Sequence, residues 1–320
     1  MVPLPETPRY LILNNHNDSA GEVLARLHSG KNVTPDHPDV VYFRRQIETG
    51  IETESAGGPF RYSELLTGGK VQNFRRVVLC MAVNVMQQFT GSNMINYYAP
   101  VVYQQTMGLS RTLSLILGGC TSLTYLVGSI IPLWAMDKFG RRTLLMFSAS
   151  GLCLCFSLAA ILLSRETKSA AYGATAMVFI FQIFLGIGWL PVPWFYPSEV
   201  TTTRIRSKGQ ALGSFINWMC VFTVVQITPI AIANIQWRTF IIFAVFCFLW
   251  IPIVYCFFPE TNQLELEDVD HLFDKGGITG GVWSSKGGRT VERKHHERET
   301  EFATSAKEEF AGKSAEIESA

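Results

Sequence analysis

Between residues 87 and 98 the chain reads Gln-Gln-Phe-Thr-Gly-Ser-Asn-Met-Ile-Asn-Tyr-Tyr, which sets six amide or phenol side chains inside one apolar segment, 77–103. At 1.5 Å per residue that segment is long enough to cross a bilayer. Hydrocarbon offers no water to satisfy such groups, and a buried amide without a partner costs kilocalories, so they must be engaged with something polar inside the membrane. Amides both donate and accept hydrogen bonds and none of these groups carries a charge. That chemistry suits a neutral, hydroxyl-rich ligand such as a sugar, and so a sugar carrier.

The elements that must hold these groups are membrane helices. Hydrophobic residues make up 48% of the chain, a moderate share for a membrane protein, because two polar ends (1–73 and 261–320) dilute a strongly apolar middle. That middle contains six segments of spanning length, 77–103, 112–136, 143–163, 171–196, 209–234 and 239–258. The expected architecture is therefore all-α, with residues 74–260 forming a six-helix transmembrane bundle. Ahead of it, 1–73 reads as a cytosolic linker. Asp18-Ser19 caps a helix carrying Val23, Leu24 and Leu27 that ends at Gly30; a second stretch after Pro35 and Pro38 carries Val40, Val41, Phe43 and Ile47; and 50–73 is Gly-rich and loop-like. Residues 261–320 form a cytosolic tail, disordered by composition beyond about 275.

The spans divide into two triples, and the first member of each is interrupted: 77–103 by Gly91, 171–196 by Gly186, Gly188, Pro191 and Pro193. Corresponding Gly/Pro-broken helices in paired repeats point to a transporter's binding site. Short-loop charge sets the orientation. Loops 137–142 (Lys138, Arg141, Arg142) and 197–208 (Arg204, Arg206, Lys208) each hold three basic residues, more than the loops between them, which places both termini in the cytoplasm. No apolar h-region follows Met1, so insertion is expected to begin with the first span. All seven cysteines fall in the apolar segments without metal-ligand spacing and read as small hydrophobes. A net charge of +1 gives no reason to expect nucleic acid. The absence of clustered His, Asp and Glu gives none to expect an enzyme, a metal or a cofactor.

Six ordered motifs now stand out: Pro5-Glu6-Thr7-Pro8-Arg9; Gln87-Gln88-x-x-Gly91-x-Asn93-x-x-x-Tyr97-Tyr98; Asp137-Lys138-Phe139-Gly140-Arg141-Arg142; Pro191-Val192-Pro193-Trp194 with Glu199 and Arg206; Asn217-Trp218; and Pro259-Glu260-Thr261. Together they resemble the C-terminal half of a sugar porter of the major facilitator superfamily, of the fungal hexose/polyol type. The resemblance implies that Gln87, Gln88, Asn93 and Asn217 bond sugar hydroxyls, that Trp194 and Trp218 stack on the ring's C–H face, and that Tyr97 serves packing or an outer gate. It also implies that Glu6, Arg9, Asp137, Arg141, Arg142, Glu199, Arg206 and Glu260 form ion pairs that lock and release the carrier during alternating access. Two positions depart from the family pattern, Tyr125 in place of an Asn and Gly186 in place of a Glu, and both would reshape the pocket. No ionisable Asp, Glu, Lys, Arg or His lies inside any span, so an intramembrane proton relay is not expected in this half.

Family members place substrate between two six-helix bundles, and this chain resembles the second alone. An incomplete gene model, a half-carrier pairing with another chain or with itself, or a non-transporting fragment would explain this, in that order. The expected partners are a sugar or polyol and the lipid bilayer of the plasma membrane.

Overall fold

The structure, a computed structural model, describes residues 5–29, 34–35, 37–55, 58, 60–69, 71–165, 167–262, 264, 269, 272–273 and 277–282. The expected disorder of the tail falls mostly on residues outside that set. The chain forms two compact units, 1–64 and 65–320.

In the first unit, α1 (Pro8–Leu13), α2 (Asn17–Ser29) and α3 (Pro38–Ser55) pack on one another, followed by a 3-10 turn at Tyr62–Leu66. Thr7 caps α1, its hydroxyl accepting from the Tyr10 amide, and Pro8 sits at N1, where its missing N–H costs nothing. Ala20, Val23, Ala25 and Val40 are buried, whereas Leu27 (70% exposed) and Phe43 are turned outward, so the apolar faces are narrower than the sequence suggests. The segment read as a Gly-rich loop is partly helical. α3 runs through Gly50 to Ser55, because one glycine costs only about 1 kcal/mol in a helix otherwise well populated with helix formers.

The second unit is the bundle: α4 (Asn73–Gln88), α5 (Ser92–Gln105), α6 (Arg111–Ile130), α7 (Pro132–Phe139), α8 (Arg141–Leu163), α9 (Lys168–Ile187), α10 (Val192–Val200), α11 (Arg206–Ile235) and α12 (Arg238–Phe257). Five helical stretches among the described residues are long and apolar enough to span. The sixth crossing is shared by α4 and α5, 16 and 14 residues, each too short alone. The expected breaks occur at Gly91 and at Gly188–Pro191. An unanticipated one falls inside 112–136, where Pro132 separates α6 from α7 because it has no N–H for the helical ladder.

Packing pairs α4 with α11 and α6 with α9, while α8 lies against both α9 and α12. Exchanging the first triple for the second maps the α4–α11 contact onto the α9–α6 contact, the relation expected of an internal repeat. Phe156 anchors the interior, its ring centroid 4.4 Å from Phe181 and 5.7 Å from Phe240. A Cβ at Gly91 would lie 2.8 Å from Phe156, and its φ of +81° is one that only glycine adopts freely. At Gly128 and Gly186 the backbones of α6 and α9 touch: a Cβ on Gly186 would stand 2.5 Å from the Gly128 carbonyl carbon. Small residues allow such an approach where lipid-surrounded helices associate by close packing.

Candidate functional site

The break between α4 and α5 builds the site. In a continuous helix Asn93 would lie about 100–140° around the axis from Gln87 and Gln88. The turn at Phe89–Gly91 re-aims α5, and Asn93 Nδ2 donates to Gln88 Oε1 at 2.5 Å. Gln88 Nε2 in turn donates to Asn217 Oδ1 on α11 at 2.9 Å and to Gln87 Oε1 at 3.3 Å. Asn217 Nδ2 donates to Gln87 Oε1 at 3.2 Å and to Asn84 Oδ1 at 3.0 Å. Gln87 Nε2 reaches the Trp189 carbonyl at 2.7 Å. That carbonyl lies in the break between α9 and α10, where the helical ladder has stopped, so an amide meets an acceptor the fold leaves open.

Gln87, Gln88 and Asn217 are each less than 10% exposed. Counting donors and acceptors, both N–H groups of Gln88 and of Asn217 are used within the network, as are both lone pairs of Gln87 Oε1. Mutual bonding of this kind holds the amides in fixed orientations, leaving Asn93 and the outer lone pairs for an incoming group.

These amides form the inner wall of a cavity of about 160 Å³, also lined by Ser92, Asn96, Tyr97, Tyr125, Leu185, Trp189, Leu190, Trp194, Trp218 and Val221. All seven residues assigned to ligand contact from the sequence, Gln87, Gln88, Asn93, Tyr97, Trp194, Asn217 and Trp218, surround this one space. They differ in depth: Trp194, Tyr97 and Trp218 are 41%, 59% and 63% exposed at its open side. Among the described residues, no Asp, Glu, Lys, Arg or His lines it. Tyr98 turns away and donates to the Val225 carbonyl. Tyr125 occupies the wall as its departure from the family pattern implied.

Sequence reasoning missed Asn84 and Gln182, and gave Asn96, one of the six polar groups of residues 87–98, no contact of its own. Asn84 is buried and donates to the Cys80 carbonyl one turn back, while its oxygen accepts from Asn217. Gln182 on α9 donates to Asn96 Oδ1 at 2.8 Å. Gln182 is a lone amide in an apolar helix, and that isolation could have drawn notice, whereas Asn84 and Asn96 each lie one helical turn from the motif amides Gln87, Gln88 and Asn93.

The charged residues gather at one end of the bundle. Arg141 reaches Glu199 through NH2 at 2.9 Å and through Nε at 3.1 Å, both side chains about one-fifth exposed or less, and also meets Asp137 at 3.6 Å and Asn262 Oδ1 at 3.1 Å. Thr261 donates its hydroxyl proton to Glu199 at 2.6 Å. Glu260 acts as a cap supplied from a distance. Its carboxylate accepts from the backbone N–H of Arg141 and of Arg142, at 2.8 and 3.1 Å, at the positive end of α8. Gly140 makes room, since a Cβ there would lie 2.5 Å from that carboxylate. The Arg142 guanidinium bonds the Val282 and Tyr255 carbonyls and lies over the Tyr255 ring. Arg206 opens α11. Glu6 and Arg9 belong to the first unit, exposed at the start of α1. Beyond α12 the chain returns to the bundle at Phe273, which is fully buried beneath the Arg76 guanidinium at 4.0 Å.

Comparison with known proteins follows the same lines. The sugar (and other) transporter family matches residues 1–273. Sugar transporter STL1 of Saccharomyces cerevisiae is 32% identical over 275 residues, covering 86% of this chain and 48% of that protein. MFS-type transporter oryC of Aspergillus oryzae is 36% identical over 277 residues, covering 84% and 51%. The chain thus spans about half the length of the curated relatives it matches. Among solved structures it resembles the proton:xylose symporter XylE bound to 6-bromo-6-deoxy-D-glucose, with a TM-score of 0.66 and 21% identity over 84% of this chain and 55% of that one. The fold is accordingly one six-helix half of the major facilitator architecture. The chain belongs to the sugar (and other) transporter family, as a multi-pass membrane protein.

Proposed function

We propose that this chain supplies one six-helix half of a carrier that moves a sugar or polyol across a membrane by alternating access. The observation that carries this reading is the cavity: an uncharged, mutually bonded amide cluster faces two exposed indoles at membrane depth, with no charged side chain in the lining. Amides replace the hydration of hydroxyls, and indole faces cover the C–H side of a ring. At about 160 Å³ the space falls short of the roughly 300–1,000 Å³ usual for small-molecule sites, as expected of one wall of a site closed by a second bundle. The names of relatives agree: STL1 is a sugar transporter, and the XylE structure holds a bromo-deoxyglucose.

In this reading Gln87, Gln88, Asn93 and Asn217 hold hydroxyls, Trp194, Trp218 and Tyr97 enclose the ring, and the Arg141–Glu199–Thr261 cluster with Asp137, Arg142 and Glu260 forms the switch. A half-buried pair joined to several hydrogen bonds suits that task, because a modest change in free energy separates made from broken. Glu6, Arg9 and Arg206 join the switch on the strength of their motifs. The charged end faces the cytoplasm, both termini lie there, and the plasma membrane is the site of action.

The test is uptake of labelled hexoses and polyols in cells lacking their own carriers, with the full carrier that contains this chain. Replacing Gln87, Gln88 and Asn93 together by alanine is expected to lower uptake at least a hundredfold, the loss of about three hydrogen bonds near 1 kcal/mol each. Undiminished uptake by the triple variant would end the reading, and binding without uptake would favour a receptor.

A further inference from the structure

Asn93 and Asn96 stand three residues apart on α5, so they project from one face a turn apart, and both line the cavity. Each is held by a neighbouring amide, but at opposite ends. Asn93 commits an N–H, donating to Gln88 Oε1, and its carbonyl oxygen has no partner among the described residues. Asn96 commits its carbonyl oxygen, accepting from Gln182 Nε2 at 2.8 Å, and its two N–H bonds have no partner among the described residues. The two amides therefore offer the cavity opposite polarities, an acceptor at Asn93 and donors at Asn96.

Gln182 is what makes the second assignment. It is 1% exposed on α9, and its own carbonyl oxygen is buried without a partner among the described residues. An unsatisfied buried acceptor is destabilising, and a leucine of similar size would avoid the penalty. Stability alone gives no reason for a glutamine at this place. What Gln182 does provide is a fixed direction for the Asn96 amide.

We propose that Asn96 is a further ligand-contacting residue that donates a hydrogen bond to a substrate hydroxyl oxygen, and that Gln182 is the positioning residue that sets its polarity. The inference rests on the sugar reading above and deepens it, since it states which hydrogen-bonding role one hydroxyl plays. A hydroxyl can accept from Asn96, a fluorine in its place can still accept weakly, and a hydrogen cannot.

The experiment uses the full carrier that contains this chain, in lipid nanodiscs, and measures affinity for a panel of hexoses and sugar alcohols. For whichever member binds, its monodeoxy and monofluoro analogues are then compared position by position. In the wild type one position is expected where fluorine holds affinity within about threefold of the parent while hydrogen loses about tenfold. Asn96→Asp, which offers only oxygen to the cavity, is expected to reverse that order. Gln182→Leu, which frees the Asn96 amide to turn, is expected to bring the fluoro-to-deoxy ratio at that position close to one while parent binding persists. A purely structural role for Gln182 would lower the melting temperature and leave the ratio unmoved, and that result overturns the positioning assignment. A ratio unchanged in Asn96→Asp overturns the contact itself, with the sugar reading intact. Failure of every panel member to bind the wild type overturns both.

Discussion

Asn217 is the hub of the buried amide network, and replacing it with alanine gives the most quantitative test of that arrangement. Three bonds disappear: those donated to Asn84 Oδ1 and Gln87 Oε1, and the one accepted from Gln88 Nε2. The losses are unequal. Gln87 Oε1 and Gln88 Nε2 still have each other, whereas Asn84 Oδ1 is left buried with no partner in the network. An orphaned acceptor costs about 1–3 kcal/mol and each of the two weakened neighbours about 0.5–1, so Asn217→Ala is expected to lower stability by about 2–5 kcal/mol. For a chain of this size that is a fall in melting temperature of roughly 3–8 °C. Thermal unfolding in detergent, followed by tryptophan fluorescence, measures it. The sharper measurement is the double-mutant cycle. In Asn84→Ala/Asn217→Ala no acceptor is stranded, so the pair is expected to cost about 1–2 kcal/mol less than the sum of the single changes. Strict additivity, or a single change within about 0.5 kcal/mol of wild type, would refute the claim that these amides are organised by one another before any ligand arrives.

Three further outcomes are expected. Gly140→Ala forces a side chain onto a residue at φ +86°, ψ 165°, a region essentially reserved for glycine, and into the Glu260 carboxylate, and is expected to destabilise by about 2–4 kcal/mol; in a Glu260→Ala background the steric part vanishes, and the added cost falls to that of the backbone alone, about 1–3 kcal/mol. Gly186→Ala presses on the Gly128 main chain, which cannot rotate aside, and is expected to cost about 1–3 kcal/mol by the same melting assay, with Gly128→Ala, whose Cβ would meet the Ile183 and Gln182 main chain at 3.0–3.1 Å, less damaging. The acceptor sequences Asn17-Asp18-Ser19 and Asn32-Val33-Thr34 are expected to stay unglycosylated in a secretory-pathway cell, read by a mobility shift on deglycosylation; a glycan on either would reverse the orientation proposed here.

Much of this was legible in the residues. Six apolar stretches and the paired Gly/Pro interruptions announced a bundle with two broken helices, because both length and backbone satisfaction are dictated by the bilayer. The gathering of Gln87, Gln88, Asn93 and Asn217 was less visible. On an ideal helix the first three diverge, and only the turn at Gly91 makes them neighbours. Asn84 and Gln182 were invisible as participants, since each is a single amide whose partner lies elsewhere in sequence, Asn84 with Asn217 and Gln182 with Asn96. Glu260 was read as one half of an ion pair, and nothing in its motif says that it reaches two backbone N–H groups 118 and 119 residues away. The break at Pro132 was passed over because proline is well tolerated in membrane helices, where composition alone does not tell a kink from an end.

The crossing of α6 and α9 has an evolutionary consequence. Where Gly128 meets Gly186, beside Leu185 in the cavity lining, peptide planes touch and no side chain from either helix can intrude. In this fold a side chain added at Gly186 collides with the Gly128 main chain, so that position is closed to change unless the facing helix moves with it. Under the carrier reading proposed above, drift in what is accepted passes instead through flanking positions such as Tyr125 and Trp194, and a laboratory selection for a new cargo should return its first substitutions there, leaving Gly186 untouched.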